Sequence, residues 1–433
     1  MRTLVAHTYG QAINVATTIL LPYVAVTNWG AAEYGVWISI TAVTQLLLLI
    51  DLGWGNAIQN QLCMKSNRGI EEATFLTTKV ANNYLAKLSI AVACLVAMSI
   101  LISQYKSTII TTCTNKDLAI TIFLLSIPSI LSPINTIYCG IWRYLGQNEK
   151  GITAINTVRL IETSIVVITI ISGKNIIATS FLAAIFRIIS SIVMIYDGYR
   201  RLKFDGPHLD AGQEKSILVE VESIRSAAKG FTMLAASQYI FLNGPVIIIT
   251  SILGPVAAAS FTACRTLSRL PILPLAMFLS SLSPELTKLS AAKNTERIKT
   301  IVPRVATISA IIVATVSLLT MILTTQIEEL WFNGKLQLDS TILFPLCVGA
   351  TILAINQVTS QALQAINQTT NQGRMYIINY SGFCIFMFST IYYSKQACWS
   401  GYSLLIAELM MALLLFKEYN KIPSWKTEKP IAQ

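Results

Sequence analysis

Uninterrupted apolar segments about 20 residues long recur along the whole chain, and their length constrains the fold more than any other feature. Coiled as an α-helix, about 20 residues rise about 30 Å, which is the thickness of the hydrocarbon core of a bilayer. Charged residues make up only 12% of the 433 residues, about half of their share in soluble domains. They are too few to cover a soluble core of this size. The sequence therefore predicts an all-α polytopic membrane protein.

The apolar segments fall into two groups of six, because the longest polar stretch, residues 199–228, separates the sixth from the seventh. We predict about twelve transmembrane helices in two six-helix bundles, a 6+6 pseudo-repeat around a central cavity. The N-terminal bundle comprises residues 1–200 and the C-terminal bundle residues 229–417, with a cytoplasmic linker (201–228) and a cytoplasmic tail (418–433). The predicted segments are 4–27, 34–62, 82–103, 117–140, 152–172, 176–198, 229–252, 255–285, 302–325, 341–364, 375–394 and 397–416.

The two halves also share short sequence features. The first segment ends at Asn28-Trp29-Gly30, and the seventh ends at Leu253-Gly254-Pro255, about half the chain length later. With an even number of helices in each half, such repeats are parallel and related by an axis along the membrane normal. Paired bundles of this kind are an architecture of transporters.

The distribution of cations predicts the orientation of the chain. The net charge is +11, and most Lys and Arg residues lie in the connections on one side of the membrane. Because cytoplasmic loops carry the excess of Lys and Arg, we predict that both termini are cytoplasmic. Nucleic acid is not an expected partner, since the cations are not clustered on one exposed face.

No pattern in the sequence indicates catalysis. The nucleotide-binding motif GxxxxGK[ST], HExxH, GxSxG and GxGxxG do not occur. A membrane glycan polymerase would need a large extracytoplasmic loop, but the predicted loops on that side, such as 104–116 and 326–340, are short. We expect no enzyme, no cofactor and no metal site, because His7 and His208 are far apart and the cysteines form no CxxC pair.

Two arginines in the eighth segment are the strongest candidates for a binding site. Arg265 and Arg269 are four residues apart and therefore share one face of a helix. Pro271 and Pro274 follow at once and predict a kink. Two cations on one face suit an anionic ligand, above all a phosphate, which arginine binds through two hydrogen bonds. The alternative is that both pair with acidic residues or reach a lipid headgroup.

Further charges lie inside predicted spans, where each costs a few kcal/mol unless it faces a cavity or a partner. Arg159 and Glu162 are three residues apart, so they either pair with each other or face the cavity. Lys87 and Arg187 are additional candidates for binding a phosphate. The carboxylates that are candidates for coupling to a proton or a sodium ion are Asp51, Glu162 and Glu408.

Uncharged polar side chains also occur within the apolar segments. They either form hydrogen bonds between helices or line a hydrated cavity for a sugar-bearing substrate. The candidates for the cavity are Asn14, Gln238, Asn243, Asn356 and Gln357.

Residues 10–62 resemble the opening of polysaccharide flippases of the O-antigen (Wzx) type. The resemblance rests on Gly30-x-x-x-Tyr34-Gly35-Val36-Trp37 followed by Leu49-Ile50-Asp51-Leu52-Gly53-Trp54-Gly55-Asn56. That family belongs to the superfamily of multidrug, oligosaccharidyl-lipid and polysaccharide exporters, which includes the lipid II flippases. The resemblance implies a protein of the bacterial inner membrane that turns an undecaprenyl-diphosphate-linked oligosaccharide, such as an O-antigen repeat unit for lipopolysaccharide, from the cytoplasmic to the periplasmic leaflet.

The resemblance also implies transport driven by an ion gradient, with intramembrane cations binding the diphosphate. Expected partners are the lipid-linked oligosaccharide, membrane lipids, a polysaccharide polymerase and other assembly proteins. The alternatives are a multidrug-type cation antiporter, which should favour acidic residues in its cavity, and a membrane glycan polymerase.

Overall fold

The computed structural model describes residues 2–47, 115–201, 211–292, 294–365 and 369–421. All regular secondary structure within these ranges is helical, which confirms the predicted all-α fold. The helices are α1 (Arg2–Trp29), α2 (Ala31–Gln45), α3 (Asn115–Tyr144), α4 (Asn148–Ile171), α5 (Ile176–Arg201), α6 (Ala211–Leu253), α7 (Pro255–Arg269), α8 (Ile272–Ala291), α9 (Thr295–Ile322), α10 (Thr324–Phe332), α11 (Ser340–Ala365), α12 (Thr369–Ser394) and α13 (Cys398–Asn420).

Nine helices in the described part of the chain are long and apolar enough to cross a membrane. They coincide with nine of the predicted segments, and the chain is a multi-pass membrane protein. The third predicted segment (82–103) and the second half of the second (34–62) lie outside the described residues, as do Asp51 and Lys87.

The eighth predicted segment, 255–285, is two helices and not one. α7 ends at Arg269 and α8 begins at Ile272, so the chain turns at Leu270 and Pro271. Proline has no N–H to donate and its ring clashes with the preceding turn of a helix, which explains the position of the break. The predicted kink is confirmed.

The predicted linker, 201–228, is helical over its described part, residues 211–228. These residues form the beginning of α6, which continues without interruption into the seventh apolar segment. No proline occurs between Ala211 and Asn243, and Glu, Lys, Leu and Ala are good helix formers, so nothing in this stretch ends the helix.

The structure divides into two compact units, Met1–Tyr239 and Ile240–Gln433. In the first unit α1 packs on α4, and α3 packs on α5 and α2. In the second unit α11 is the central helix, because it contacts α7, α8, α9, α12 and α13. A cluster of buried side chains from α8, α9, α11 and α13, including Leu286, Ile298, Ala354 and Met411, forms the core of this unit.

A matching backbone detail supports the internal repeat. Gly30 separates α1 from α2 with φ 87° and ψ 167°, and Gly254 separates α6 from α7 with φ 91° and ψ 174°. Both values lie in a region that only glycine adopts readily. The same sharp helix-to-helix connection is therefore built at the corresponding position of each half.

Candidate functional site

Arg265 and Arg269 both line one small cavity in the second unit. They lie on α7, and Arg269 is the last residue before the break at Leu270 and Pro271. The Arg265 Nη1 donates a hydrogen bond to the backbone oxygen of Leu242 on α6. The Arg269 guanidinium lies 5.2 Å from the centre of the Phe241 ring, within the range of a cation–π contact.

The Glu408 carboxylate lines the same cavity from α13, and its residue is only 2% exposed. The Asn356 amide on α11 donates to Glu408 Oε2 at 2.8 Å and to the Glu408 backbone oxygen at 3.0 Å. The Tyr380 hydroxyl on α12 donates to Glu408 Oε1 at 3.2 Å. Two helices, α11 and α12, thus position the carboxylate of α13 through neutral hydrogen-bond donors.

Arg269 is the cation that acts on this carboxylate electrostatically. The attraction is mutual, and Arg269 also interacts with Tyr380. Asn356 and Tyr380 are 1% and 3% exposed and Arg269 is half-buried, so the carboxylate lies in a medium of low polarity, where charge–charge interactions are strong. We call Arg269, Asn356, Tyr380 and Glu408 the buried charge cluster.

The cavity itself is small, at about 20 Å³. This volume is sufficient for one water molecule but not for a diphosphate. Its remaining lining is mostly apolar, with residues such as Phe241, Leu346, Leu353 and Leu404.

A second, larger cavity of about 580 Å³ begins at the residue after Arg269. It lies between the α7–α8 junction and α9, and every lining residue but Ser309 is apolar. The lining comprises Leu270, Pro271, Pro274, Leu275, Phe278, Val305, Ile308, Ser309, Ile312, Val313 and Val316. Thus the last residues of α7 before the break line the cationic cavity, named for Arg265 and Arg269, and the residues from Leu270 onward line an apolar cavity.

In the first unit, Glu162 on α4 pairs with Arg187 on α5 and not with Arg159 on its own helix. The Arg187 Nη2 donates to Glu162 Oε2, and the two side chains are 16% and 15% exposed. Arg159 remains within electrostatic range of both. The structure therefore adds Arg187 to Arg159 and Glu162, whose spacing had already placed them near each other.

The predicted neutral cavity residues differ in their surroundings. Gln238 is exposed and Asn14 is half-buried. Asn243 is 6% exposed, and its amide nitrogen has no hydrogen-bond partner among the described residues, as is true of Gln357 Oε1. Only Asn356 takes part in the buried charge cluster.

Tyr380 and Phe241 are the members of this site that the sequence did not indicate. The centres of their rings are 4.4 Å apart; Phe241 lines the cavity from α6, and Tyr380 on α12 donates to Glu408. A tyrosine inside an apolar segment is a weak signal, because its hydroxyl must find a partner when it is buried.

No protein-family model matches the sequence, and no curated protein matches it. Solved structures do match its fold. The inward-facing conformation of a multidrug resistance MATE family transporter of the MOP superfamily has a TM-score of 0.69 and 15% identity, over 97% of this chain and 94% of that one. The lipid II flippase MurJ in an inward closed conformation has a TM-score of 0.68 and 15% identity, over 96% of this chain and 89% of that one.

A third similar structure is a MOP superfamily transporter from Pyrococcus furiosus, described by the reverse polarity of its binding pocket. It matches with a TM-score of 0.57 and 14% identity, over 97% of this chain and 95% of that one. The chain therefore has the fold of the MOP superfamily transporters.

Proposed function

We propose that the protein is a flippase that moves an undecaprenyl-diphosphate-linked oligosaccharide, an O-antigen or similar surface polysaccharide repeat unit, across the bacterial inner membrane. Its fold is shared by multidrug transporters and by a lipid II flippase. Both are transport functions, in which a substrate is moved and not chemically converted. The observation that carries the choice of substrate is that Arg265 and Arg269 line a cavity at the end of α7, whereas the residues that follow, from Leu270, line an apolar cavity.

A polyprenyl diphosphate has the same arrangement as these two cavities. Its anionic head is bonded directly to an apolar chain, so a protein that binds it needs cations next to an apolar surface. Arg265 and Arg269 supply two guanidinium groups, each able to bind phosphate oxygens through two hydrogen bonds. The apolar cavity from Leu270 to Val316 supplies a surface for the first part of the chain.

The small volume of the cationic cavity requires that it opens before a diphosphate enters. We place this movement at the junction of Leu270 and Pro271, because Pro271 has no N–H to donate and the regular helical hydrogen-bond pattern is interrupted between α7 and α8. In many transporters discontinuous helices form the binding site, and one bundle moves against the other around that site during alternating access. We propose that an ion gradient drives the cycle.

The test of the proposed function uses a bacterial host that lacks its own O-antigen flippase and expresses this protein. Arg265→Ala and Arg269→Ala, alone and together, are expected to reduce surface polysaccharide strongly at normal protein levels, and Arg269→Lys is expected to restore part of it. Arg304→Ala is the matched control, because Arg304 is an exposed arginine on α9. Normal polysaccharide in the double variant would contradict the role assigned to both arginines.

A multidrug-type antiporter is the second candidate, and the buried carboxylate of Glu408 is the observation that favours it. An antiporter of cationic drugs needs an anionic group in its cavity. The two candidates differ in the charge of the ligand that stabilises the purified protein against heat. A flippase is expected to be stabilised by farnesyl diphosphate and an antiporter by tetraphenylphosphonium.

A further inference from the structure

The Glu408 carboxylate provides a negative counter-charge for the Arg269 guanidinium. The carboxylate and the guanidinium line one cavity of about 20 Å³ and attract each other. No carboxylate of the described residues lies within 4.0 Å of Arg269, so the pair is separated and not locked by a direct hydrogen bond. An incoming anion can therefore compete for the guanidinium.

The other groups around Glu408 cannot replace Arg269 as a counter-charge. On α11 its partner is the neutral amide of Asn356, and on α12 its partner is the hydroxyl of Tyr380. Tyr376, whose ring centre is 5.5 Å from that of Tyr380, is a further titratable group of α12 near Glu408. On α7, Arg265 lines the cavity as well, but its guanidinium is bonded to the Leu242 carbonyl.

Binding of a phosphate to Arg269 would change the charge balance around Glu408. The guanidinium then interacts with the phosphate instead of with Glu408. The Glu408 carboxylate is left beside added negative charge, in the small cavity whose lining is mostly apolar. An uncompensated buried charge is strongly unfavourable, and a carboxylate avoids this cost by taking up a proton. The neutral donors Asn356 and Tyr380 still hold its other lone pairs.

We propose that Glu408 stands in for the substrate's phosphate in the empty transporter and takes up a proton when a diphosphate displaces it from Arg269. The inference rests on the proposed function and adds to it a proton that binds together with the substrate. By linkage, the proton and the diphosphate then strengthen each other's binding. Because such a proton travels with the substrate, an inward proton gradient would have to act through a different carboxylate.

The experiment measures binding of farnesyl diphosphate to the purified, detergent-solubilised full chain by calorimetry at pH 8, in two buffers of different ionisation enthalpy. Comparison of the two buffers gives the number of protons taken up on binding. The wild type is expected to take up more protons than Glu408→Gln, by up to about one for each diphosphate. The variant is expected to bind about tenfold more tightly at this pH, since its neutral amide carries no charge that competes for Arg269.

Glu418→Gln is the matched control, because Glu418 lies on the same helix but pairs with Lys421 outside the cavity. It is expected to behave like the wild type in both measurements. Inorganic diphosphate in place of farnesyl diphosphate separates recognition of the head from recognition of the chain.

Two negative results have different meanings. If farnesyl diphosphate binds the wild type but proton uptake equals that of Glu408→Gln, the proposed role of Glu408 is wrong and the proposed flippase function stands. If neither protein binds the diphosphate, the proposed function fails, and the role of Glu408 fails with it. Unfolding of Glu408→Gln would be detected as the loss of its thermal transition. In that case Asn356→Asp, which adds a second carboxyl beside Glu408, would be compared with the wild type and is expected to bind the diphosphate more weakly.

Discussion

Arg187 shows how a single charge is accommodated in an apolar helix of this protein. Its guanidinium donates to the Glu162 carboxylate on the neighbouring helix α4, and both side chains are largely covered. A charge at the centre of a membrane helix costs about 3 kcal/mol when it has no partner. The pair therefore stabilises the packing of α4 on α5 only when both charges are present.

Removal of one partner of this pair is expected to destabilise the first unit. Glu162→Gln leaves the Arg187 charge uncompensated, so we expect a loss of about 2–3 kcal/mol, measured as a lower thermal unfolding midpoint in detergent. The double variant Glu162→Gln/Arg187→Gln is expected to recover most of the loss, because it removes the uncompensated Arg187 charge. Equal stability of the single variant and the wild type would contradict this role of the pair.

Side chains that are close in sequence were predictable at this scale, whereas contacts between distant segments were not. The spacing of Arg265 and Arg269 placed both on one face of α7, and Pro271 indicated the break. The partners of Glu408 could not be inferred, since Asn356 and Tyr380 lie 52 and 28 residues away. The sequence spacing of three residues suggested Arg159 as a partner of Glu162. The packing of α4 on α5, which the sequence does not reveal, makes Arg187 the partner instead.

At the scale of helices, close approach between α11 and α13 positions Glu408 beside Asn356. A Cβ atom added at Gly401 would lie 2.7 Å from the backbone oxygen of Ile342 and 2.6 Å from the Pro345 side chain. Such distances are too short for a side chain, and backbone atoms cannot move aside without displacing the helix. Glycine at position 401 is therefore a condition for the packing of these two helices.

Gly401→Ala is expected to lower stability by about 1–3 kcal/mol through overpacking. Gly382→Ala is the matched control, because Gly382 lies in the interior of α12 with nothing within 4 Å of an added Cβ. Alanine is the better helix former there, so the control is expected to be neutral or more stable by up to about 1 kcal/mol. The stability of both variants is measured by thermal unfolding. Equal effects of the two substitutions would contradict the packing described for α11 and α13.

At the scale of the whole molecule, lengths of apolar segments and the positions of glycine were enough to predict much of the fold. Gly30 and Gly254 adopt the same unusual conformation, as the sequence correspondence suggested. The length of α6 was not predicted, because the polar residues 211–228 gave no apolar signal although they form a helix. The boundary between the compact units, after Tyr239, depends on packing and has no mark in the sequence.

The predicted orientation is tested by labelling single cysteines in a cysteine-free background. Cysteines at Lys150 and Arg374 are expected to be protected from a membrane-impermeant maleimide added to the periplasm, and cysteines at Lys174 and Lys335 are expected to react. All four side chains are exposed. Trp29 donates to the Lys174 backbone oxygen at 2.8 Å, which places the end of α1 at the same surface as Lys174. The opposite labelling pattern would reverse the orientation inferred from the cations.

Translocation in proteoliposomes is the most direct test of the proposed flippase function. The purified protein is reconstituted with an undecaprenyl-diphosphate-linked oligosaccharide, and the fraction of sugar accessible to an added glycosidase is followed over time. The wild type is expected to expose sugar from the inner leaflet, the Arg265→Ala/Arg269→Ala variant to be slower by at least about tenfold, and Arg304→Ala to match the wild type. Equal rates in the wild type, the double variant and protein-free vesicles would contradict both the flippase function and the role of the two arginines.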